Sequence, residues 1–387
     1  MLTIGMGVLL VLIGYFLGLY FFDNATAGLA IAILVWVVLS LIAYFRGDSI
    51  LLSMSRAKKI GPDDHPRLYN VVEEMKIASG LEKMPDIYII DDPALNAFAT
   101  GRDPNRASVA ITSGLLQKLN RDELQGVIGH EISHIKNRDV LLMSMCGVLL
   151  GTIVILAWYG SRIMIFGSMT GSRRSSSPGG GGQGQIIILI VALAFMILAP
   201  IFAQLIYFAI SRKREYLADA SSALYTRYPE GLASALEKLG ASTGQLKSAN
   251  KATAPMYIVN PFRRKGMKAS DLSSTHPPIS ERIRILRAMA GASFDDYDRA
   301  YRDVHRGRGV IPAAGLTAEA VPIATVRQEG EGGELSEIQR ARETSDVMWR
   351  LDNYKTIACD CGAKLRVPPS FRGPTIRCPH CGRTHQL

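Results

Sequence analysis

The sequence predicts a mainly α-helical integral membrane protein that also carries an α+β domain and a small cysteine-rich C-terminal unit. Four long apolar runs grouped in two pairs predict the membrane part. In agreement, mean hydropathy is +0.14 although 20% of the 387 residues are charged. Four cysteines in two close pairs near the end of the chain predict a metal site in a reducing compartment rather than a disulfide framework.

The first pair of apolar runs comprises residues 1–22 and 27–45, and we interpret residues 1–45 as a transmembrane hairpin. A signal peptide is disfavoured, because no basic region precedes the first run. Basic residues follow the hairpin from Arg46 to Lys59, whereas its turn has none. The positive-inside rule therefore puts residues 46 onward in the cytoplasm. The net charge of +10 is better explained by such membrane flanks than by nucleic-acid binding.

The second pair, residues 140–160 and 186–210, predicts another hairpin and brings the number of transmembrane helices to four. A Gly/Ser-rich segment joins the two runs and is expected to be a flexible loop. Arg162, Arg173 and Arg174 lie in this loop and oppose the positive-inside rule, so a shallow or re-entrant hairpin is the alternative.

The second hairpin interrupts residues 46–302. Outside the hairpin, these residues have the composition of a soluble domain. Apolar periodicity predicts a helix over residues 66–79, and short β-type runs predict strands at 86–90 and 107–112. Asn120 and Glu123 have the spacing of a capping box, so a helix is expected to begin there and to run into the segment HEISH.

The HEISH segment places His130 and His134 on one face of that helix, one turn apart, with Glu131 beside the first histidine. Two histidines at this spacing bind zinc, and the glutamate is the general base of a metalloprotease. Glu131 lies about 100° around the helix from His130, so it is expected to stay off the metal. The sequence therefore predicts a zinc metalloprotease.

A catalytic zinc takes three protein ligands, and Glu215 is the candidate for the third. Asp219 lies one turn further on and could accept a hydrogen bond from the far nitrogen of a ligand histidine. The second hairpin would bring both segments to the same membrane face. His276 is a candidate oxyanion stabiliser, and an ordinary loop residue is the equal alternative.

The C-terminal part divides into a flexible linker at 303–353, with a short helix at 334–350, and a small unit at 354–387. Four thiolates suit a closed tetrahedral structural zinc site, so we interpret residues 354–387 as a zinc ribbon. We interpret its basic side chains as a solvated surface, and binding of an unknown protein partner is the alternative. The thiolates are those of Cys359, Cys361, Cys378 and Cys381.

These segments together resemble the HtpX-type membrane zinc endopeptidases, which are related to the CAAX prenyl proteases. The resemblance covers roughly residues 1–300. It is carried, in the family's order, by NAFATG at 96–101, TSGLL at 112–116, HEISHIKNRD at 130–139, SRKREYLAD at 211–219 and HPPISERI at 276–283.

The resemblance implies a gluzincin-like (zincin) domain whose zinc is held by His130, His134 and Glu215, with Glu131 as the base. It also implies a multi-pass protein of the cell inner membrane whose active site faces the cytoplasm. An edge strand at Asn96, Ala97, Phe98 and Ala99 would bind the peptide substrate. The implied role is membrane-protein quality control in the stress response.

Two alternatives stay open. A CAAX-type processing protease would need spans that are not visible here. A non-catalytic zinc-binding adaptor would not need Glu131. The long glycine-rich loop at 167–185 and the extension beyond residue 303 depart from the family pattern.

Overall fold

The structure of the protein is a computed structural model. It describes five main stretches, together with pieces of one to three residues between them. These are residues 2–22, 24–142, 212–242, 276–312 and 334–387, with 153, 158–159, 162, 197–198, 201, 257–258, 316 and 322–324.

The N-terminal hairpin consists of helices α1 (Leu2–Phe22) and α2 (Ala25–Met54), and the Asn24 side chain caps the start of α2. The helices cross closely at Gly18 and Gly28, where an added Cβ would collide with the backbone of the other helix. Among the described residues, α2 is the one helix long and apolar enough to cross a membrane. It continues past the expected end at residue 45, and the predicted spans at 140–160 and 186–210 lie almost wholly outside the described residues.

A four-stranded mixed sheet supports the soluble domain. Its strands are β1 (Lys58–Ile60), β2 (Asp86–Ile90), β3 (Ala97–Gly101) and β4 (Ala107–Thr112), in the order β1-β2-β4-β3. Strands β2 and β4 are parallel, whereas the other two pairs are antiparallel. Strand β3 is therefore at one edge of the sheet, as the edge-strand expectation requires.

Helices α3 (Pro66–Ser79), α4 (Ser113–Lys118) and α5 (Arg121–Lys136) pack around this sheet. The capping box of Asn120 and Glu123 is confirmed at the start of α5. From Leu124 to Ile135 every residue of α5 is buried, because helices and the sheet cover it on all sides.

Among the described residues, the domain has four further helices: α6 (212–226), α7 (Pro229–Ala241), α8 (Ile279–Arg287) and α9 (Phe294–His305). Helix α6 lies against α5, where Ser222 Oγ donates a hydrogen bond of 2.7 Å to the Gly126 carbonyl. An added Cβ at Gly126 would lie 2.6 Å from the Leu232 backbone nitrogen, so the glycine permits the close approach of α7. This packing fixes α6 beside the HEISH segment.

The short helix expected at 334–350, near the end of the predicted linker, is present as α10 (Glu337–Leu351), and it is docked on the domain. Val347 and Met348 are buried in the main core of the domain. Arg340 Nε donates to the Gln117 carbonyl at 3.2 Å, at the end of α4. The charged composition of the segment conceals this short apolar stripe.

The C-terminal unit consists of two antiparallel hairpins, β5–β6 (Lys355–Ala358 and Lys364–Val367) and β7–β8 (Thr375–Arg377 and Thr384–Gln386). Arg366 joins this unit to α10, because its guanidinium donates to Asp346 at 2.8 Å and lies 5.1 Å above the Trp349 ring. The unit is therefore attached to the domain through α10.

Candidate active site

Helix α5 brings the two HEISH histidines together in the buried interior. Nε2 of His130 lies 3.3 Å from Nε2 of His134, and the rings are nearly perpendicular. Both side chains come from one face of the helix, as their spacing predicts.

The carboxylate of Glu215, on α6, closes this group. Its Oε2 lies 3.5 Å from His130 Nε2, and its Oε1 lies 3.4 Å from His134 Nε2. Zinc–nitrogen bonds of about 2.0–2.1 Å put the corners of a tetrahedron about 3.3–3.4 Å apart. The two histidine nitrogens therefore have the spacing of two corners around one zinc ion, and each has one oxygen of the Glu215 carboxylate at a similar distance. Two imidazoles with one carboxylate are a donor set that hydrolytic zinc uses.

Glu215 is almost fully buried, yet its electrostatic surroundings favour the ionised form that a metal ligand needs. Burial would raise the pKa of this carboxyl, but His276 and hydrogen bonds from His130 and His134 hold the pKa well below its usual range. The surroundings therefore keep Glu215 in the carboxylate form that can bind a metal.

Glu131 is buried beside the histidines, and burial raises the pKa of its carboxyl. A backbone hydrogen bond from Ala99, in β3, acts in the opposite direction. Within the described part of the chain, Glu131 Oε1 has no hydrogen-bond partner. A buried carboxylate oxygen without a partner is costly, which fits a site that holds a reacting water.

Asp219 lies one turn after Glu215 on α6, and its Oδ1 is 3.0 Å from Nδ1 of His130. When Nε2 faces a metal, Nδ1 carries the ring proton and donates a hydrogen bond to this carboxylate, which fixes the tautomer and the ring orientation. Arg282, from α8, donates two hydrogen bonds to the same carboxylate at 2.8 and 2.7 Å.

Asp139 contacts His134 as Asp219 contacts His130: its Oδ2 lies 3.0 Å from Nδ1 of His134. Helix α5 ends at Lys136, and Arg138 has the left-handed φ of 57°, so the chain turns back under His134. Arg214, which precedes Glu215, forms an ion pair with Asp139. Sequence reasoning missed both residues.

Arg282 was also missed. It is a fully buried arginine that contacts both acids of α6, because its Nη1 is 3.5 Å from Glu215 Oε2. In the sequence it is one of several charged residues on an amphipathic helix, and nothing distinguishes it from Arg284, which is exposed. A signal appears only once α8 is packed against α6.

His276 is brought to the edge of this group. Its Nε2 is 3.7 Å from Glu215 Oε2, and burial lowers its pKa to about 4. At neutral pH it is therefore an uncharged imidazole beside the three donor atoms. Its predicted role as an oxyanion stabiliser stays a prediction.

The predicted substrate strand at Asn96–Ala99 lies beside the site, but part of it has partners within the chain. The Asn96 backbone pairs with Thr112 of β4. The Ala97 carbonyl accepts a hydrogen bond of 3.0 Å from the Ile258 backbone N–H. The Phe98 ring packs edge-on against Tyr257 at 5.1 Å. Ala99 is the residue whose backbone faces Glu131.

The four terminal cysteines form a second group of possible metal ligands. The sulfurs of Cys359 and Cys381 are 3.5 Å apart, and those of Cys361 and Cys378 are 3.7 Å apart. Zinc–sulfur bonds of about 2.3 Å put tetrahedral corners about 3.8 Å apart, so the arrangement fits one ion.

Each cysteine pair lies on a tight turn that ends in a glycine with a left-handed backbone. Gly362 has φ 84° and donates to the Cys359 carbonyl at 2.8 Å, and Gly382 has φ 78° and donates to the Cys378 carbonyl at 2.9 Å. Backbone hydrogen bonds from Cys381 and His380 lower the pKa of the Cys378 thiol to about 6, which favours the thiolate that binds metal.

Comparison with known proteins gives consistent results. Residues 62–290 match the family model described as Peptidase family M48. A protein named Protease HtpX homolog from Thermoanaerobacter pseudethanolicus is 46% identical over 282 residues, which cover 73% of this chain and 91% of the relative. A protein of the same name from Dictyoglomus turgidum is 47% identical over 269 residues, covering 70% and 84%.

Among solved structures, the crystal structure of S. mikatae Ste24p is similar with a TM-score of 0.43 and 22% identity, and the match covers 72% of this chain. The chain spans 62% of the length of that protein. The family match ends at residue 290, so α9, α10 and the cysteine-rich unit lie beyond it.

Proposed function

The chain belongs to peptidase family M48 and is a membrane zinc metalloprotease, and on this premise we propose an endopeptidase acting on membrane and membrane-proximal proteins, misfolded ones among them. We propose that its active site faces the cytoplasm and that the chain crosses the cell inner membrane four times. The apolar hairpin α1–α2 and the basic residues after it support this topology.

One observation carries the proposed mechanism: the Nε2 atoms of His130 and His134 are 3.3 Å apart, each lies 3.4–3.5 Å from one oxygen of the Glu215 carboxylate, and Glu131 follows the first histidine. These three residues would hold a catalytic zinc. When bound there, zinc polarises the scissile carbonyl and lowers the pKa of the attacking water.

Glu131 is the general base in this proposal. Its unpartnered Oε1 accepts the proton of the attacking water, and the same carboxyl then delivers that proton to the leaving amine. Burial raises its pKa, so the protonated form that the second step needs is accessible. Peptide hydrolysis is balanced by one water, whose oxygen joins the carbonyl carbon.

Asp219 and Asp139 position the two histidines through their Nδ1 atoms. Neutral His276 is the proposed donor to the oxyanion, because its imidazole lies next to the ligand carboxylate. For the substrate strand, the backbone near Ala99 is the most suitable part of β3, since the Ala97 carbonyl is already paired with Ile258.

The cysteine-rich unit would hold a second, structural zinc through its four thiolates, since the sulfur spacing fits a closed tetrahedron. We propose two zinc ions per chain, one for each site.

The experiment compares purified full-length wild type with Glu131→Gln on casein and on a membrane-protein substrate, with zinc content measured in parallel. The variant should retain both zinc equivalents and lose cleavage by at least about 10²–10⁴-fold. Glu73→Gln, an exposed carboxylate on α3, is the matched control and should cleave normally. Wild-type cleavage by Glu131→Gln would overturn the mechanism.

A further inference from the structure

A groove of about 910 Å³ lies between the membrane helix α2 and the soluble domain. Three parts of the domain face α2 across it: the start of the loop after α3, the β3–β4 turn, and the end of α5. We call it the basic groove. Its cationic side chains are Arg102, Arg106, Lys136 and Arg138, and its acidic ones are Glu82 and Asp103.

The groove lies where the apolar part of α2 ends. Tyr44 and Phe45 line it, both are exposed, and Arg46 follows directly. Aromatic residues at such a boundary mark the headgroup level of a membrane. The groove is thus expected at the depth of the lipid phosphates.

Four cationic and two acidic side chains leave the groove with an excess of two positive charges. The Lys136 ammonium donates to the Ser79 carbonyl, and Arg102 pairs with Asp103 at 3.6 Å. Arg106 and Arg138 are exposed and form no ion pair with any described residue. Two guanidinium groups are therefore available for an anion.

Arg102 connects the groove to the membrane helix. Its guanidinium carbon lies 5.9 Å from the Tyr44 ring centroid and 5.8 Å from that of Phe45. In the turn that carries it, the Asp103 carboxylate accepts a hydrogen bond of 2.9 Å from the Asn105 backbone N–H. Cation–π contacts thus hold Arg102, on the domain side of the basic groove, against α2.

A lipid matches both parts of this surface. Guanidinium groups bind a phosphate, while large apolar side chains of α2 such as Leu34 and Leu41, which are 63% and 52% exposed, can lie along acyl chains. The positive excess favours an anionic headgroup over a zwitterionic one. We propose that the basic groove binds the phosphate headgroup of an anionic phospholipid and so holds the catalytic domain against the membrane.

This site rests on the membrane location of the chain and not on the peptidase chemistry. It is nevertheless adjacent to the active site, because Arg138 directly precedes Asp139, whose carboxylate contacts His134. A bound headgroup would restrain the turn that positions Asp139. The lipid composition of the membrane would then affect the active site through this turn.

The test uses the full-length protein, stripped of lipid in detergent, with bound lipid counted by native mass spectrometry. The probes are phosphatidylglycerol, phosphatidylcholine and inorganic phosphate. Wild type should prefer phosphatidylglycerol, and Arg106→Gln/Arg138→Gln should weaken that binding by about 30-fold, since each interfacial arginine contributes about 1 kcal/mol. Arg308→Gln/Arg342→Gln removes the same charge from exposed positions elsewhere and should bind as wild type.

Equal loss in the two double variants would mean that net charge, not the groove, attracts the lipid, and would overturn the proposal. So would an unchanged preference in Arg106→Gln/Arg138→Gln. Binding of inorganic phosphate without a preference between the two lipids would overturn the assignment to a lipid. Because lipid counting needs no cleavage, its failure is distinguishable from a failure of the proposed peptidase mechanism.

Discussion

Arg282 and Asp219 form a fully buried ion pair in which Nε and Nη2 of the arginine donate to the two carboxylate oxygens at 2.8 and 2.7 Å. Asp219 Oδ1 also faces Nδ1 of His130 at 3.0 Å, and Arg282 Nη1 lies 3.5 Å from Glu215 Oε2. One side chain on α8 thus supports a histidine of α5 and a carboxylate of α6.

The first prediction concerns this pair. Arg282→Met leaves the Asp219 charge buried without its main partner, and removing one member of a buried pair costs about 3–5 kcal/mol. We expect a clear fall in the thermal unfolding midpoint, together with weaker binding of the catalytic zinc. Arg284→Met, exposed on the same helix, should change neither quantity.

A double-mutant cycle distinguishes direct coupling from general damage to the fold. If the pair acts as a unit, Arg282→Met combined with Asp219→Asn should destabilise less than the sum of the two single changes. Additive effects would contradict the coupling of these two residues.

The second prediction concerns Asp139, which sequence reasoning missed. Asp139→Asn keeps the size of the side chain but weakens the carboxylate acceptor of His134 Nδ1, so zinc affinity at the catalytic site should fall by about 10–100-fold. The measurement is a competitive titration with a zinc chelator. Asp303→Asn, at an exposed position on α9, is the control, and an unchanged affinity in Asp139→Asn would remove Asp139 from the metal site.

Local patterns were sufficient for the residues that lie on one helix face. His130, His134 and Glu131 follow from helical spacing alone, and Asp219 follows Glu215 by one turn. The structure brings these five residues together. Both segments could be identified from the sequence, because each places two side chains that can bind or support a metal four residues apart on a helix.

The residues that sequence reasoning missed depend on tertiary packing or on a turn. Asp139 reaches His134 only because the chain reverses at Arg138, and Arg282 becomes distinctive only when α8 buries it. The docking of α10 rests on few apolar residues within a charged segment, and composition averages hide such a short stripe. Likewise, no sequence pattern paired Ile258 with the edge of β3.

The third prediction concerns acid stability and His65, the N-cap of α3, whose Nδ1 accepts a hydrogen bond of 3.2 Å from the Leu68 N–H. Burial, and then the nearby Arg67 charge, lower its pKa from 6.5 to about 4. Between pH 6.5 and about 4, His65 binds a proton more readily in the unfolded chain than in the folded one. The contribution of His65 to the free energy of unfolding is therefore fully present above pH 6.5 and is lost as the pH falls towards 4. The limiting loss is roughly 3 kcal/mol.

Asparagine is a good N-cap and does not titrate, so His65→Asn tests this assignment. The quantity to compare is the difference in unfolding midpoint between wild type and variant at pH 7 and at pH 4.5, because zinc release at low pH affects both proteins. Wild type should lose more stability than the variant on acidification. Parallel losses would show that His65 does not contribute to the pH dependence.

The last prediction separates α10 from the cysteine-rich unit. A chain ending at residue 353 loses the ribbon's contacts with Asp346 and Trp349 but keeps α10, so it should lose one zinc equivalent and retain basal peptidase activity. A chain ending at 333 also removes Val347 and Met348 from the core, each worth about 1.5–3 kcal/mol of burial, and should unfold at a lower temperature. Cys378→Ser/Cys381→Ser in the full chain is the control for loss of the structural zinc alone and should match the 353 truncation.

If the 353 truncation were inactive while retaining its catalytic zinc, the ribbon would belong to the catalytic unit, because neither α10 nor the zinc ligands would explain the loss.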